Sequence, residues 1–204
     1  IHRCQKDGVK IVMNCEVTPE LIKEEKPDSV IIATGSKTLI LPIEGIDNPA
    51  IIHGSDLLDG KRPAGKKVLV VGGGMVGCET AAFLGEQEHD VTVIEFRDTV
   101  GADVIHEHRV YLMKDFEDYG IKEITGAKVC KFYEDGVEYE TADGVRHETR
   151  GYDSVILSMG FRNYNPLEEK IKDLVPETHV IGDAIRARRA LDATKEAYEV
   201  ASRL

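Results

Sequence analysis

The sequence predicts an α/β fold in which a parallel βαβ unit is followed by an antiparallel meander. Three observations predict it. First, the apolar run KVLVV (Lys67–Val71) enters a glycine-rich turn, Gly72–Gly77, and is followed by a helical pattern and a second apolar run. Second, the Asp143-Gly144 pair between two short β-prone segments is a strong hairpin signal. Third, the apolar runs in VIIATGS, VILSMGF and THVIGDA each end abruptly on a glycine, as buried parallel strands do.

The elements follow in order. Val9–Val12 is β-branched and apolar, and reads as a strand. Thr18-Pro19-Glu20 starts a short helix, with Thr as N-cap and Pro in the first turn, and Lys26-Pro27-Asp28 ends it. Val30–Ala33 is a continuous apolar strand closed by Thr34-Gly35. Residues 36–65, with Pro42, Pro49 and Pro63, read as a crossing segment with a helical turn at Ser55–Leu58. Lys67–Val71 is a buried strand, Cys78–Glu88 a helix, and Val91–Ile94 a second parallel strand. His106–Tyr119 is a helix with Val110, Leu112, Met113 and Phe116 at helical spacing. KVCKFY, GVEYET and RHETRGYDSVIL form the meander, which returns to a buried strand at Val155–Leu157. Val180-Ile181-Gly182-Asp183 is a further strand end, and Leu191–Leu204 is the last helix.

Composition narrows the partners. The chain has 204 residues, with 26 Lys and Arg against 37 Asp and Glu, a net charge of −11. That charge repels phosphate backbones and anionic lipid, so neither nucleic acid nor a membrane surface is expected as a partner. No apolar run reaches the ~20 residues needed to span a bilayer, and the N-terminus carries no signal-peptide pattern. Cys4, Cys15, Cys78 and Cys130 are scattered, with no C-x-x-C pair for zinc, iron–sulfur or a redox disulfide. A cytoplasmic protein with no metal site in this chain is expected.

Gly72, Gly74 and Gly77 form the G-x-G-x-x-G pattern between strand and helix. Gly72 permits the tight turn, Gly74 lets the backbone approach a pyrophosphate, and Gly77 lets the helix pack on the strand. The amides of Met75 and Val76, at the helix start, are expected to face phosphate oxygens. Glu95 lies 18 residues beyond Gly77 at the end of the second strand, where it accepts from the adenosine ribose. It also repels a 2′-phosphate, so NAD(H) is favoured over NADP(H), although Arg97 is near enough to accommodate that phosphate. The unit is therefore a Rossmann-like NAD(P)-binding domain.

The order of the glycine-ended strands around this unit resembles the two-dinucleotide-binding flavoprotein reductases, in which an NAD(P)-binding domain is inserted into an FAD-binding domain. Within them, GGGMVGCETAAFLGEQEHDVTVIE, SVILSMGFRNYNPL and VPETHVIGDAIRARRALDAT resemble the C-terminal half of NADH:flavin oxidoreductases of the 2,4-dienoyl-CoA reductase, enoate reductase and trimethylamine dehydrogenase group. The resemblance implies an FAD-type first segment over 1–58, an NAD(P)-binding domain over 59–158 and an FAD-type return over 159–204. It implies that Thr34, Gly35 and Gly160 line the strand exits nearest the nicotinamide half-site, and that Gly182 and Asp183 meet FAD. It further implies a fragment of a larger flavoenzyme, with upstream FMN and iron–sulfur domains as partners, hydride transfer from NADH to FAD, and little activity in this chain alone. No catalytic side chain is expected, because the cofactors carry the chemistry. The alternative is a structural ADP-binding module without nicotinamide chemistry, as in proteins resembling trimethylamine dehydrogenase. A disulfide reductase of the same superfamily is disfavoured by the missing C-x-x-C.

Overall fold

A computed structural model describes residues 2–204. In chain order the elements are α1 (His2–Lys6), α2 (Pro19–Glu25), β1 (Ser29–Ile32), β2 (Ser36–Thr38), β3 (Ile52–His53), α3 (Gly54–Leu58), β4 (Lys67–Val71) and α4 (Met75–Glu86). There follow β5 (Asp90–Ile94), α5 (His106–Asp118), β6 (Lys122–Ile124), β7 (Lys128–Tyr133), β8 (Gly136–Glu140), β9 (Arg146–Thr149) and β10 (Ser154–Leu157). The chain ends with β11 (Phe161–Asn163), α6 (Glu168–Ile171), β12 (Glu177–Val180), a 3-10 turn (Gly182–Ala184) and α7 (Ala190–Ala201). The chain divides into two compact units, 1–37 with 162–204, and 38–161.

The second unit is the expected α/β domain. Its sheet runs β3-β10-β4-β5-β6, and every pairing is parallel. β4 alternates its side chains between two cores. Val68 and Val70 pack with Val91, Val93, Cys78, Leu84, Leu112 and Phe116 beneath α4 and α5. Leu69 and Val71 pack with Ile94, Val155, Leu157, Phe132 and Val137 on the opposite face. Both faces are covered, which is why KVLVV is apolar throughout rather than alternating. The meander is the antiparallel sheet β7-β8-β9. The Asp143 carboxylate closes the β8–β9 turn by accepting from the Thr141 hydroxyl and the Val145 N–H, with Gly144 at φ 77°.

The first unit contains a two-stranded parallel sheet, β1 with β12. Ile22, Ile32, Leu167, Ile171, Val175 and Ala184 form its core. α2 begins as expected: Thr18 is the N-cap and its Oγ1 accepts from the Leu21 N–H.

Two expectations are corrected in place. Val9–Val12 is not a strand; Val9 is 54% and Val12 59% exposed. Among the described residues no strand pairs with it, and a β-branched run without a ladder partner cannot satisfy its backbone. The glycine-turn helix begins at Met75 rather than Cys78, because Gly74 acts as its N-cap. The sheet of the second compact unit includes β3 beside β10.

Candidate functional site

The sheet of the second unit has a topological switch point. β4 leads through α4 to β5 on one side, while β10 lies on its other side. Ligands of open α/β sheets bind in the crevice outside the strand ends at such a point. Gly72 leaves β4 there at φ 105°, and a Cβ on it would lie 2.4 Å from the Ser158 carbonyl oxygen. Both the backbone angle and the approach of the β10 exit therefore require glycine. A Cβ on Gly77 would lie 1.8 Å from the Gly72 carbonyl oxygen, so α4 rests directly on the turn. Val76 is in the first helical turn, where its carbonyl accepts from the Thr80 hydroxyl at 2.7 Å.

Glu95 stands where the sequence places it, immediately after β5. Its Oε2 accepts from the Gly73 N–H at 2.6 Å and its Oε1 from the Arg97 N–H at 2.9 Å. A carboxylate has about four acceptor sites, so two remain after these bonds. The Gly-rich turn and the strand-end acid are thus one rigid piece. The Met75 N–H does not stand free at the helix start; it donates to Asp103 Oδ1 at 2.9 Å. No sequence signal marks Asp103, which lies in the aperiodic loop between β5 and α5. Gly160 follows β10 at φ 94°, and its carbonyl accepts from the Leu39 N–H at 2.9 Å. Next to it, Ser158 is buried and its Oγ has no protein partner; the same holds for Nδ1 of His53, at the end of β3.

The first unit holds a cavity of about 530 Å³ lined in part by Ala33, Gly35, Gly182, Asp183, Ala190 and Ala193. Asp183 Oδ2 accepts from the Ser36 hydroxyl at 3.2 Å and Oδ1 from the Arg188 N–H at 3.0 Å. Gly182, at φ 61°, donates its N–H to Glu196 Oε2 at 2.7 Å. Glu196 also pairs with the Arg188 guanidinium, which, with the Gly182 N–H, holds its carboxyl below the usual range. Arg188 is thus tied into this site through both its backbone and its side chain. The Thr34 hydroxyl is engaged with the Tyr164 carbonyl, and Gly35, at φ 75°, turns the chain out of β1. Ser36 and Glu196 were not legible beforehand: the partner of Ser36, Asp183, lies far away in sequence, and no motif marks Glu196. Among the described residues, no cluster of three or more His, Cys, Asp or Glu could hold a metal, and no helix is long and apolar enough to cross a membrane.

A parallel sheet with a glycine turn at its switch point and an acid at the next strand end defines a dinucleotide-binding α/β protein. Comparison with known proteins gives the family. The model of the pyridine nucleotide-disulphide oxidoreductase family matches residues 1–178, and the chain belongs to that family. A cinnamate reductase of Clostridium sporogenes is 30% identical over 200 residues, covering 97% of this chain and 30% of that protein. An NADH oxidase of Thermoanaerobacter brockii is 32% identical over 199 residues, covering 95% of this chain and 30% of that protein. The solved structure of a 2-naphthoyl-CoA reductase with 2-naphthoyl-CoA superposes with a TM-score of 0.86 at 31% identity, over 97% of this chain and 30% of that one. The chain thus spans under a third of the length of these relatives. The family expectation and the two-dinucleotide fold expectation are both borne out. Its relatives are flavin-dependent pyridine-nucleotide oxidoreductases, so the family is enzymatic and takes FAD and pyridine nucleotides.

Proposed function

We propose that this chain is the nucleotide-binding portion of a flavin-dependent NADH oxidoreductase. The second unit takes NADH, and the first unit contributes to the FAD site. The observation that carries the reading is the rigid assembly of Gly72, Gly74 and Gly77 with Glu95. Gly74 offers a backbone without a side chain to a diphosphate, and the first turn of α4 adds its dipole, worth about 0.3–1 kcal/mol to a nearby anion. Glu95 is held by two backbone amides and keeps acceptor capacity for ribose hydroxyls. The same charge disfavours a 2′-phosphate, which supports NADH over NADPH.

The residues of the first unit fit part of a flavin nucleotide. The cavity is lined largely by glycine and alanine and is within the usual size of ligand pockets, about 300–1,000 Å³. Asp183 is oriented by Ser36 and by the Arg188 backbone, so its remaining lone pairs are presented in a fixed direction to a ribityl hydroxyl. Gly182 and Gly35 line the same cavity, while Thr34, its hydroxyl taken by the Tyr164 carbonyl, fixes the turn beside it. When bound, the two cofactors supply hydride transfer from reduced nicotinamide to flavin. The protein's part is to bind and orient, so no side chain is assigned as acid, base or nucleophile. Whole-enzyme activity belongs with the longer relatives, and upstream FMN and iron–sulfur domains are part of the proposal.

Parallel calorimetric titrations of the chain with NADH, NADPH and ADP test it. NADH is expected to bind more tightly than ADP and NADPH. Equal binding of ADP and NADH would mean that only the adenosine end is read, which is the behaviour of a structural ADP module.

A further inference from the structure

The N-cap of α4 is Gly74, which has no side chain to satisfy the first-turn amides. Asp103 supplies that cap from a different loop. Its Oδ1 accepts from the Met75 N–H at 2.9 Å, and a Cβ on Gly74 would sit 3.3 Å from its Oδ2 and 3.5 Å from its Oδ1. The carboxylate therefore lies on the side of Gly74 left open by the missing side chain, the side by which a diphosphate approaches the backbone. We propose that Asp103 sets nucleotide affinity as an internal anion, occupying the diphosphate's place on α4 until the nucleotide displaces it; this rests on the nucleotide-binding reading above.

The loop is built for such an exchange. Its backbone is fixed: Gly101 donates to the Gly73 carbonyl at 2.7 Å, Val100 is fully buried, and Arg109 holds Thr99 Oγ1 at 2.9 Å and the Val100 carbonyl at 3.1 Å. The Asp103 side chain, by contrast, is exposed, so it can rotate into solvent without moving the loop. One N–H cannot serve the carboxylate and a phosphate oxygen together. A second negative charge beside the diphosphate also repels it. The apo chain thus keeps a capped, ordered helix start and binds nucleotide more weakly than the bare fingerprint would.

The test is calorimetric titration of the whole chain and of Asp103→Asn with ADP, NADH and adenosine. Asn keeps an oxygen for the Met75 N–H, removes the charge and turns the second oxygen into an N–H donor, so the salt dependence reads the charge itself. ADP and NADH are expected to bind about five-fold more tightly to the variant, adenosine equally, from removal of one exposed like charge. The gain is expected to shrink as salt rises from 0.05 to about 0.5 M, since exposed charges are screened. Asp103→Ser, a second uncharged side chain with an oxygen, is expected to act in the same direction. Equal or weaker ADP binding by both folded variants overturns the proposal while leaving the nucleotide reading intact. No binding of ADP or NADH by any of the chains overturns both. Binding by the variants but not by the native chain supports the proposal in its strongest form.

Discussion

Replacing Gly77 with alanine is the sharpest test of how the turn is built. The new Cβ would lie 1.8 Å from the Gly72 carbonyl oxygen and 2.9 Å from its carbonyl carbon, where real side-chain carbons do not come within 3.0 Å. Neither atom can rotate away, because both are backbone. α4 would have to withdraw by about 1.2 Å from a sheet on which Cys78, Ala81 and Leu84 are buried. Overpacking of this kind costs about 1–3 kcal/mol and sometimes more. Alanine's better helix propensity returns about 1 kcal/mol. A net loss of about 1–2 kcal/mol is expected, with loss of nucleotide binding. Gly85→Ala, in the same helix, is the comparison. Its Cβ would meet Tyr119 Cβ at 2.8 Å and ring Cδ2 at 3.1 Å; the Tyr119 Cβ moves only with its backbone, but that backbone is the exposed end of α5 and needs to yield by a few tenths of an ångström. That variant is expected to lose less stability than Gly77→Ala. Urea unfolding followed by circular dichroism reads both. A midpoint for Gly77→Ala at or above that of Gly85→Ala would refute the reasoning.

Further outcomes are expected at three positions. Burial pushes the Cys78 thiol up to about 12 from an ordinary 9.0, so at pH 8 about one in ten thousand is ionised. Disulfide reagents should label Cys4 and Cys15, which are exposed, while Cys78 reacts only on unfolding. A thiol whose folded value is raised gives stability that is intact below pH 9 and lost above it, by about 1.4 kcal/mol per pH unit; Cys78→Ala should flatten that alkaline decline in urea midpoints. Arg188, then the Gly182 amide, holds the Glu196 carboxyl below its ordinary 4.5. Its contribution is therefore present above pH 4.5 and lost as pH falls through the lower folded value. Glu196→Gln should be less acid-sensitive than the native chain when melting is followed from pH 6 to pH 3. Glu95→Gln keeps one acceptor but loses the charge-assisted bond to Gly73. NADH affinity should fall about ten-fold and the preference over NADPH should narrow; unchanged titrations would remove Glu95 from the site.

The strand–turn–helix–strand core was legible because each part is over-determined. KVLVV is apolar at every position, since two cores flank β4, and Gly72 and Gly77 are required by contacts of under 3 Å. β3 and β6 were not legible. They have two and three residues, and Lys122 and Glu123 give β6 no apolar signature; pairing with β10 and β5 places them. Val9–Val12 carried the opposite error, a strand-like composition without a partner strand. Glu95 was legible by position, but its bonds to Gly73 and Arg97 were not. Asp103 could not have been found at all, because its role depends on a loop meeting a helix start 28 residues earlier.

The order of the chain carries a consequence for how the protein folds. β1 and β12 must pair in parallel although residues 38–161 intervene. Closing so long a flexible loop carries an entropic penalty of about 4 kcal/mol by the logarithmic length law. The Leu39 N–H to Gly160 carbonyl bond, 2.9 Å long, fastens the two ends of the intervening unit to each other. Once that unit has folded, the penalty has already been met, and the two halves of the outer unit are delivered to each other as near neighbours. The expected sequence of events is inner unit first, outer unit second, with outer amides exchanging hydrogen well before those of β4 and β5.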